Sequence, residues 1–262
     1  MASRIHTGKI AWSIDLSADS DYTPESRLHV GQRLEQSANT RRLLDLFDQY
    51  QIPATWFVDE AASETPLSNI TSRTAGHEVA VSFGQRVVNG PKRQLATALC
   101  RSTFAMQKLQ HSLRAVQFPS PPSNEQYELL LKNGISVVRI CSGSVGRGAD
   151  ANIRPIRHGL WTLPSPVAVT GGHWPGSIRA WWLATAAVLS AAEERRHCHL
   201  ALDPATLSPR SLGWPLLAKL LRVQSGLRRE GRLEIATVSA LVERLMSKQH
   251  SGVGARSILR AA

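Results

Sequence analysis

The feature that most constrains this chain is a regular alternation of short β-type runs with longer stretches of helical spacing. Lys9 to Ile14, ATWFVDE from Ala54, AGHEVAVSF from Ala75, ISVVRI from Ile135, HCHLALDP from His197 and LEIATV from Leu233 read as strands. Between them, Ser37 to Tyr50 sets Leu43, Leu44, Phe47 and Tyr50 on one side of a helix, with Asn39 or Thr40 as candidate cap. A weaker helix is expected over roughly Thr65 to Thr74, a long one from Pro91 to about Leu113, and another from Asn124 to Asn133 with Gly134 as its C-terminal cap. Ile178 to Arg196, Gly213 to Arg229 and a terminal helix complete the series. Parallel strands need crossovers of this length, so the pattern predicts an α/β fold in the form of a distorted (β/α) barrel. No linker or internal repeat divides the chain, which reads as one domain over 1–246 and a flexible basic tail over 247–262.

The hydrophobic share of 42% and charged share of 19% suit a chain that builds a sizeable core. A formal net charge of +11 raises the question of a polyanionic partner, whose binding would weaken steeply with salt. The basic residues are scattered, however, and pairs such as Arg41-Arg42 and Arg228-Arg229 are not interleaved with aromatics. That distribution argues against nucleic acid as the partner. Cys100, Cys141 and Cys198 show neither metal-ligand spacing nor a disulfide framework. The N-terminal residues lack the apolar run of a signal peptide, and Ala180 to Ala192 falls short of the ~20 residues that span a bilayer. A reducing, cytoplasmic setting without membrane contact is the expectation.

In barrels of this kind reactive groups gather at the carboxyl ends of strands. Asp15, Ser82, Pro119 and Asp203 each follow a predicted strand, and Asp15 closes IAWSID directly before Leu16. In order along the chain, RRLLDLFDQYQIPATWFVDE, AGHEVAVS, VQFPSPPSNEQYELLLKNGISVV, HLALDP and GRLEIATVSAL match landmarks of one family. The chain resembles the polysaccharide deacetylases, the family-four carbohydrate esterases that share the NodB homology domain. The resemblance runs from about Lys9 to Leu245 and implies a NodB-type distorted barrel.

The resemblance also implies what the site should hold. Family members remove an acetyl group from an amino sugar with a divalent metal such as zinc, which activates water and stabilises the oxyanion. Two adjacent aspartates end their first strand, one acting as general base and the other binding metal with two histidines. Carried over by position, Asp15 falls on the base and Leu16 on the metal-binding aspartate. Ser82 and Arg86 fall on the two histidines, Gln117 on the arginine that orients the base, and Asp203 on the late histidine that acts as acid. By that register the metal ligands are replaced and no metal or other cofactor is expected. An Arg86 guanidinium lying between Asp15 and Asp203 would fill the vacated position.

Other residues fit plainer roles. His77 sits in the Gly-His-Glu segment and reads as structural. His197 and His199 share one strand face but stand too early in their strand to reach its carboxyl end. His173 and Trp174, in GGHWPG, are the candidate loop residues for ligand contact. Trp181 and Trp182 are neighbours on one helix, so at most one of them faces the core. The rest of Ile178 to Arg196 reads as a core helix with a polar end. The function expected is therefore a deacetylase-like protein with a degenerate site, binding a carbohydrate or small amide ligand or regulating an active relative. The alternative is a divergent hydrolase of a carbon–nitrogen amide bond with Asp15 as base.

Overall fold

The computed structural model describes residues 7–16, 28–60, 70–141, 153–157, 159–163, 166–169, 176–208 and 211–247, with the side chains of 28–37 and 176–177 left aside. The strands are β1 Gly8–Leu16, β2 Thr55–Asp59, β3 Glu78–Ser82, β4 Ala115–Phe118 and β5 Val137–Ile140, followed by β6 Arg154–Arg157, β7 Leu160–Thr162, β8 Val167–Val169, β9 His197–Leu202 and β10 Leu233–Ala236. The helices are α1 Leu28–Gln49, α2 Gln85–Asn89, α3 Lys92–Lys108, α4 Asn124–Lys132, α5 Gly176–Glu194, α6 Gly213–Arg229 and α7 over 238–247. The spatial order is β6-β7-β5-β4-β3-β2-β1-β9-β8, parallel except for β6 against β7. The sheet curls into a half-barrel with helices outside, as the alternation predicts.

Pleating sorts each strand into two faces. In β1, Ile10, Trp12 and Ile14 join the large cluster between sheet and helices, while Ala11, Ser13 and Asp15 fall on the concave face. Trp12 is fully buried, meets Phe47 edge-on at 5.3 Å, and donates its indole N–H to Gln224 Oε1 at 2.8 Å. The concave face is lined near the strand starts by small or apolar groups: Ala11, Phe57, Ala80, Ala115 and Val137. Helix α7 fills that end with Val238, Leu241 and Val242. Toward the carboxyl ends the same rows turn polar, at Asp15, Ser82, Gln117 and Arg139. The core thus closes one end of the half-barrel and leaves a polar rim at the other.

Strand β1 has two neighbours on one side. Its first half pairs with β10 and its second half with β2. Where the two part, Glu78 Oε2 accepts from Thr55 Oγ1 at 2.8 Å and from the Ser239 N–H at 3.1 Å, and Oε1 accepts from Ser239 Oγ. The Val238 N–H donates to Thr55 Oγ1 at 2.9 Å. The opening turn of α7 is therefore capped by a side chain from β3, a carboxylate at the positive end of a helix.

The structure departs from the sequence expectations at several edges. Helix α1 starts well before Ser37, and α3 stops at Lys108 instead of Leu113. Of the helix expected over 65–74, only residues 70 and 71 are helical among those described, and 65–69 lie outside them. Strands β6, β7 and β8 and the short helix α2 are absent from the sequence reading. Strand β1 continues through Asp15 and Leu16, two residues beyond the Ile14 at which the sequence reading ends it. Helix α4 carries a capping box between Ser123 and Gln126, and Gly134 follows it at φ +76°, a left-handed position that favours glycine. Tail residues 248–262 lie outside the described residues.

Candidate functional site

Adjacent strands set Asp15 opposite Phe57, Asp59 opposite Ser82, Ser82 opposite Gln117, and Gln117 opposite Arg139. These side chains form one polar layer across the rim. Its centre is an ion pair between the outer strands of the group. Arg139 Nη1 donates to Asp15 Oδ1 at 2.5 Å and Nη2 donates to Oδ2 at 3.0 Å. Nη1 also reaches Gln117 Oε1 at 3.0 Å, and the guanidinium lies over the Phe57 ring at 5.1 Å. Arg139 is buried, whereas Asp15 retains a quarter of its side-chain exposure. A planar fork answering both carboxylate oxygens is the strong form of this interaction, and it offsets the desolvation of the guanidinium. Arg139 Nε is buried and finds no acceptor among the described residues.

The expected partner of Asp15 was Arg86, and that expectation is corrected. Arg86 is exposed on α2, which turns Val87 and Val88 inward. The two-sided spacing of that short helix sends Arg86 away from the concave face. Asp203 is also placed otherwise: its Oδ1 accepts from the Ala205 N–H at 2.8 Å and caps a 3-10 turn at Pro204–Thr206. Leu16, one residue past Asp15, packs with the helix-side core. Ser82 is half-buried at the end of β3, and Gln117 holds Arg139. His173 and Trp174 lie outside the described residues.

Below Asp15, Ser13 Oγ and His199 Nε2 stand 2.7 Å apart, both buried. The sequence reading set His199 aside as too early in its strand. The register agrees, because β9 pairs His199 with Ala11, four residues before Asp15, and so holds it beneath Ser13 on the concave face, below the rim. Cys141 follows β5 and donates its backbone N–H to Phe118 O at 2.8 Å. Cys141 is exposed at the rim; partial desolvation by its neighbours raises the pKa of its thiol, Arg139 draws it down, and Asp15 raises it again.

His77 holds the structural place expected of it, on the helix side of the sheet between Phe47 and Trp56. Its Nδ1 accepts from the Ala54 N–H at 3.1 Å, which fixes a neutral ring, and burial pushes its pKa down to about 4. On that side too, a cavity of about 430 Å³ lies between the end of β2 and helices α2 and α3, lined by Glu60, Val87, Arg93, Gln94 and Arg101 among others. Burial raises the Glu60 pKa there, with Asp59 adding to it and Arg101 opposing.

The described residues at the rim do not fit the divalent metal that the resemblance implies. Leu16 offers no donor atom, Arg86 points to solvent, and both oxygens of Asp15 already accept from Arg139. Among the described residues no three His, Cys, Asp or Glu side chains converge as a metal set. What the layer offers is a carboxylate held by a guanidinium, an amide and a thiol.

The curled parallel half-barrel and the order of its helices are those of the NodB-like polysaccharide deacetylase fold. Two bacterial proteins assigned to the polysaccharide deacetylases share it. One, from Mycobacterium smegmatis, superposes with a TM-score of 0.71 at 17% identity over 95% of this chain and 94% of its own. The other, from Pseudomonas aeruginosa PAO1, gives 0.67 at 11% identity over 90% and 89%. The peptidoglycan deacetylase PdaC of Bacillus subtilis gives 0.50 at 13% identity over 95% and 97%. No family model and no curated protein matches the chain.

Proposed function

We propose that this chain is a polysaccharide deacetylase-like protein that binds a carbohydrate or related ligand at its rim without metal-dependent deacetylation. It would serve as a binding or regulatory protein. The observation that carries this reading is the rim itself, where Leu16 packs in the core beside Asp15 and both oxygens of Asp15 accept from Arg139. The test is elemental analysis of untagged protein for zinc, cobalt, iron and nickel, paired with glycan-array binding by wild type and Trp174→Ala. Metal-free protein that binds a glycan supports the reading. Near-stoichiometric metal that disappears in Asp15→Ala overturns it.

A second reading, an amide hydrolase using Asp15 as base, has one observation in its favour. The resemblance expects an arginine at position 117 to orient the base, and the neighbouring strand supplies one through Arg139, with Gln117 steadying it. A base in that setting keeps a second lone pair on each oxygen, and Asp15 retains the solvent exposure through which one of them would take a proton from water. Hydrolysis of N-acetyl amino sugars by wild type, abolished in Asp15→Asn, would establish this reading in place of the first.

A further inference from the structure

The outer face of α5 is not the polar surface of an ordinary peripheral helix. Trp181, Ala184, Val188 and Ala191 turn into the core, and the opposite side carries exposed Ile178, Trp182, Leu183 and Leu189. Trp181 is 3% exposed and its neighbour Trp182 is 68% exposed. Among the described residues only Phe104 and Leu212 are further large exposed apolar side chains, and Phe104 lies under the Lys108 ammonium. Apolar exposure is therefore concentrated on one helix, and such patches mark contact surfaces.

Helix α6 lies beside α5 and against β10, while α5 itself packs on β1, β8 and β9. Helix α6 buries Leu217, Leu220, Leu221 and Leu227, and its solvent side bears Lys219, Arg222 and Arg229, spaced by three and seven residues. Arg228 turns the other way, to the carbonyls of Tyr50 and Gln51. Arg179 adds a further exposed cation at the start of α5. Glu193 and Glu194 are the acids of that helix, and Glu194 is engaged by Arg196 at 2.9 Å.

We propose that this surface, the α5 apolar face with the α6 basic row beside it, seats the protein on an anionic lipid bilayer. A tryptophan and leucines at headgroup depth, flanked by lysine and arginine, are the chemistry of an in-plane membrane contact. The net charge of +11 supplies the long-range attraction. No helix among the described residues is long and apolar enough to cross a membrane, and a surface contact requires none. A second copy of this chain would bring like charges of α6 together around the same apolar centre, so charge favours the lipid.

The experiment is flotation of the full chain with vesicles of phosphatidylcholine alone or of equal parts phosphatidylcholine and phosphatidylglycerol, read alongside tryptophan emission. Binding to the anionic vesicles, at least about tenfold weaker to neutral ones, with a blue shift in emission, is expected. Trp182→Ser combined with Leu183→Ser, and separately Lys219→Glu with Arg222→Glu, should each reduce binding about tenfold or more. All four residues are exposed, so circular dichroism of the variants should match wild type. Equal binding to both vesicle types, no binding, or unchanged binding by the Trp182 variant overturns the proposal. A concentration-dependent dimer lost in the Trp182 variant, without vesicle binding, assigns the face to a second copy instead.

Discussion

Arg139 and Asp15, 124 positions apart in sequence, meet across the rim through two parallel hydrogen bonds of 2.5 and 3.0 Å. One partner is buried and the other reaches solvent. The pair ties β1 to β5 across the intervening strands β2, β3 and β4.

Breaking this pair from either side should be costly. Asp15→Asn leaves a buried guanidinium without its counter-charge, and Arg139→Met strands the carboxylate and removes the contact over Phe57. Each is expected to lower unfolding free energy by about 2–4 kcal/mol in urea titrations. The double variant should lose less than the sum by more than about 1 kcal/mol, the mark of direct coupling. Additive losses would mean that the two groups do not interact in solution.

His77 makes stability depend on pH. Its pKa is lowered from 6.5 to about 4 by burial in the folded state. Above 6.5 both states hold the ring neutral and its contribution is complete; below, the unfolded chain takes a proton that the folded one refuses until about 4. Stability should fall as pH drops through that window, by on the order of 3 kcal/mol from this group. The difference in unfolding free energy between wild type and His77→Gln should shrink on acidification. A difference constant from pH 7 to pH 4 would refute the assignment.

Gly8 opens β1 where α5 comes closest. A Cβ there would lie 2.1 Å from the Ala191 carbonyl oxygen, a backbone atom that cannot swing aside. Gly8→Ala should cost about 1–3 kcal/mol through displacement of the end of α5. Gly84→Ala, where nothing stands within 4 Å of the added carbon, serves as the control and should be close to neutral. Thermal melts that rank the two the other way would contradict this packing.

The three cysteines should separate by reactivity. Cys100 and Cys141 are exposed, whereas Cys198 is buried with its pKa pushed up to about 12. Iodoacetamide on folded protein should label the first two and spare the third until urea unfolds the chain. Asp15 raises the Cys141 pKa, so Asp15→Asn should speed labelling at Cys141 and leave Cys100 unchanged. Equal acceleration at both would point to general loosening rather than to the charge of Asp15.

Much of the architecture was legible because it follows from local periodicity. Helix α6 runs over the residues its spacing predicts, Gly213–Arg229, and the β1 alternation separates Ile10, Trp12 and Ile14 from Ala11, Ser13 and Asp15. The landmark order suggested the NodB-like barrel that the structure shows. The neighbour relation of Trp181 and Trp182 correctly implied that one of them is exposed. Arg139 had a signal that was overlooked: a lone cation inside the buried strand ISVVRI needs a counter-charge, since an unpaired one is rarely tolerated there.

Which counter-charge it finds is not a property of any local stretch. Asp15 at a strand end, Leu16 beside it and helices of a given length follow from short-range pattern, because pleat and helical pitch repeat every two or 3.6 residues. That Arg139 rather than Arg86 answers Asp15 depends on strand order and on one register after another from β1 to β5. The same long-range register lifts His199 under Ser13 and hangs the start of α7 on Glu78. Shifting any of these pairings by one residue would invert the faces, so the chain's rows of polar and apolar residues acquire a site only when the curled sheet closes.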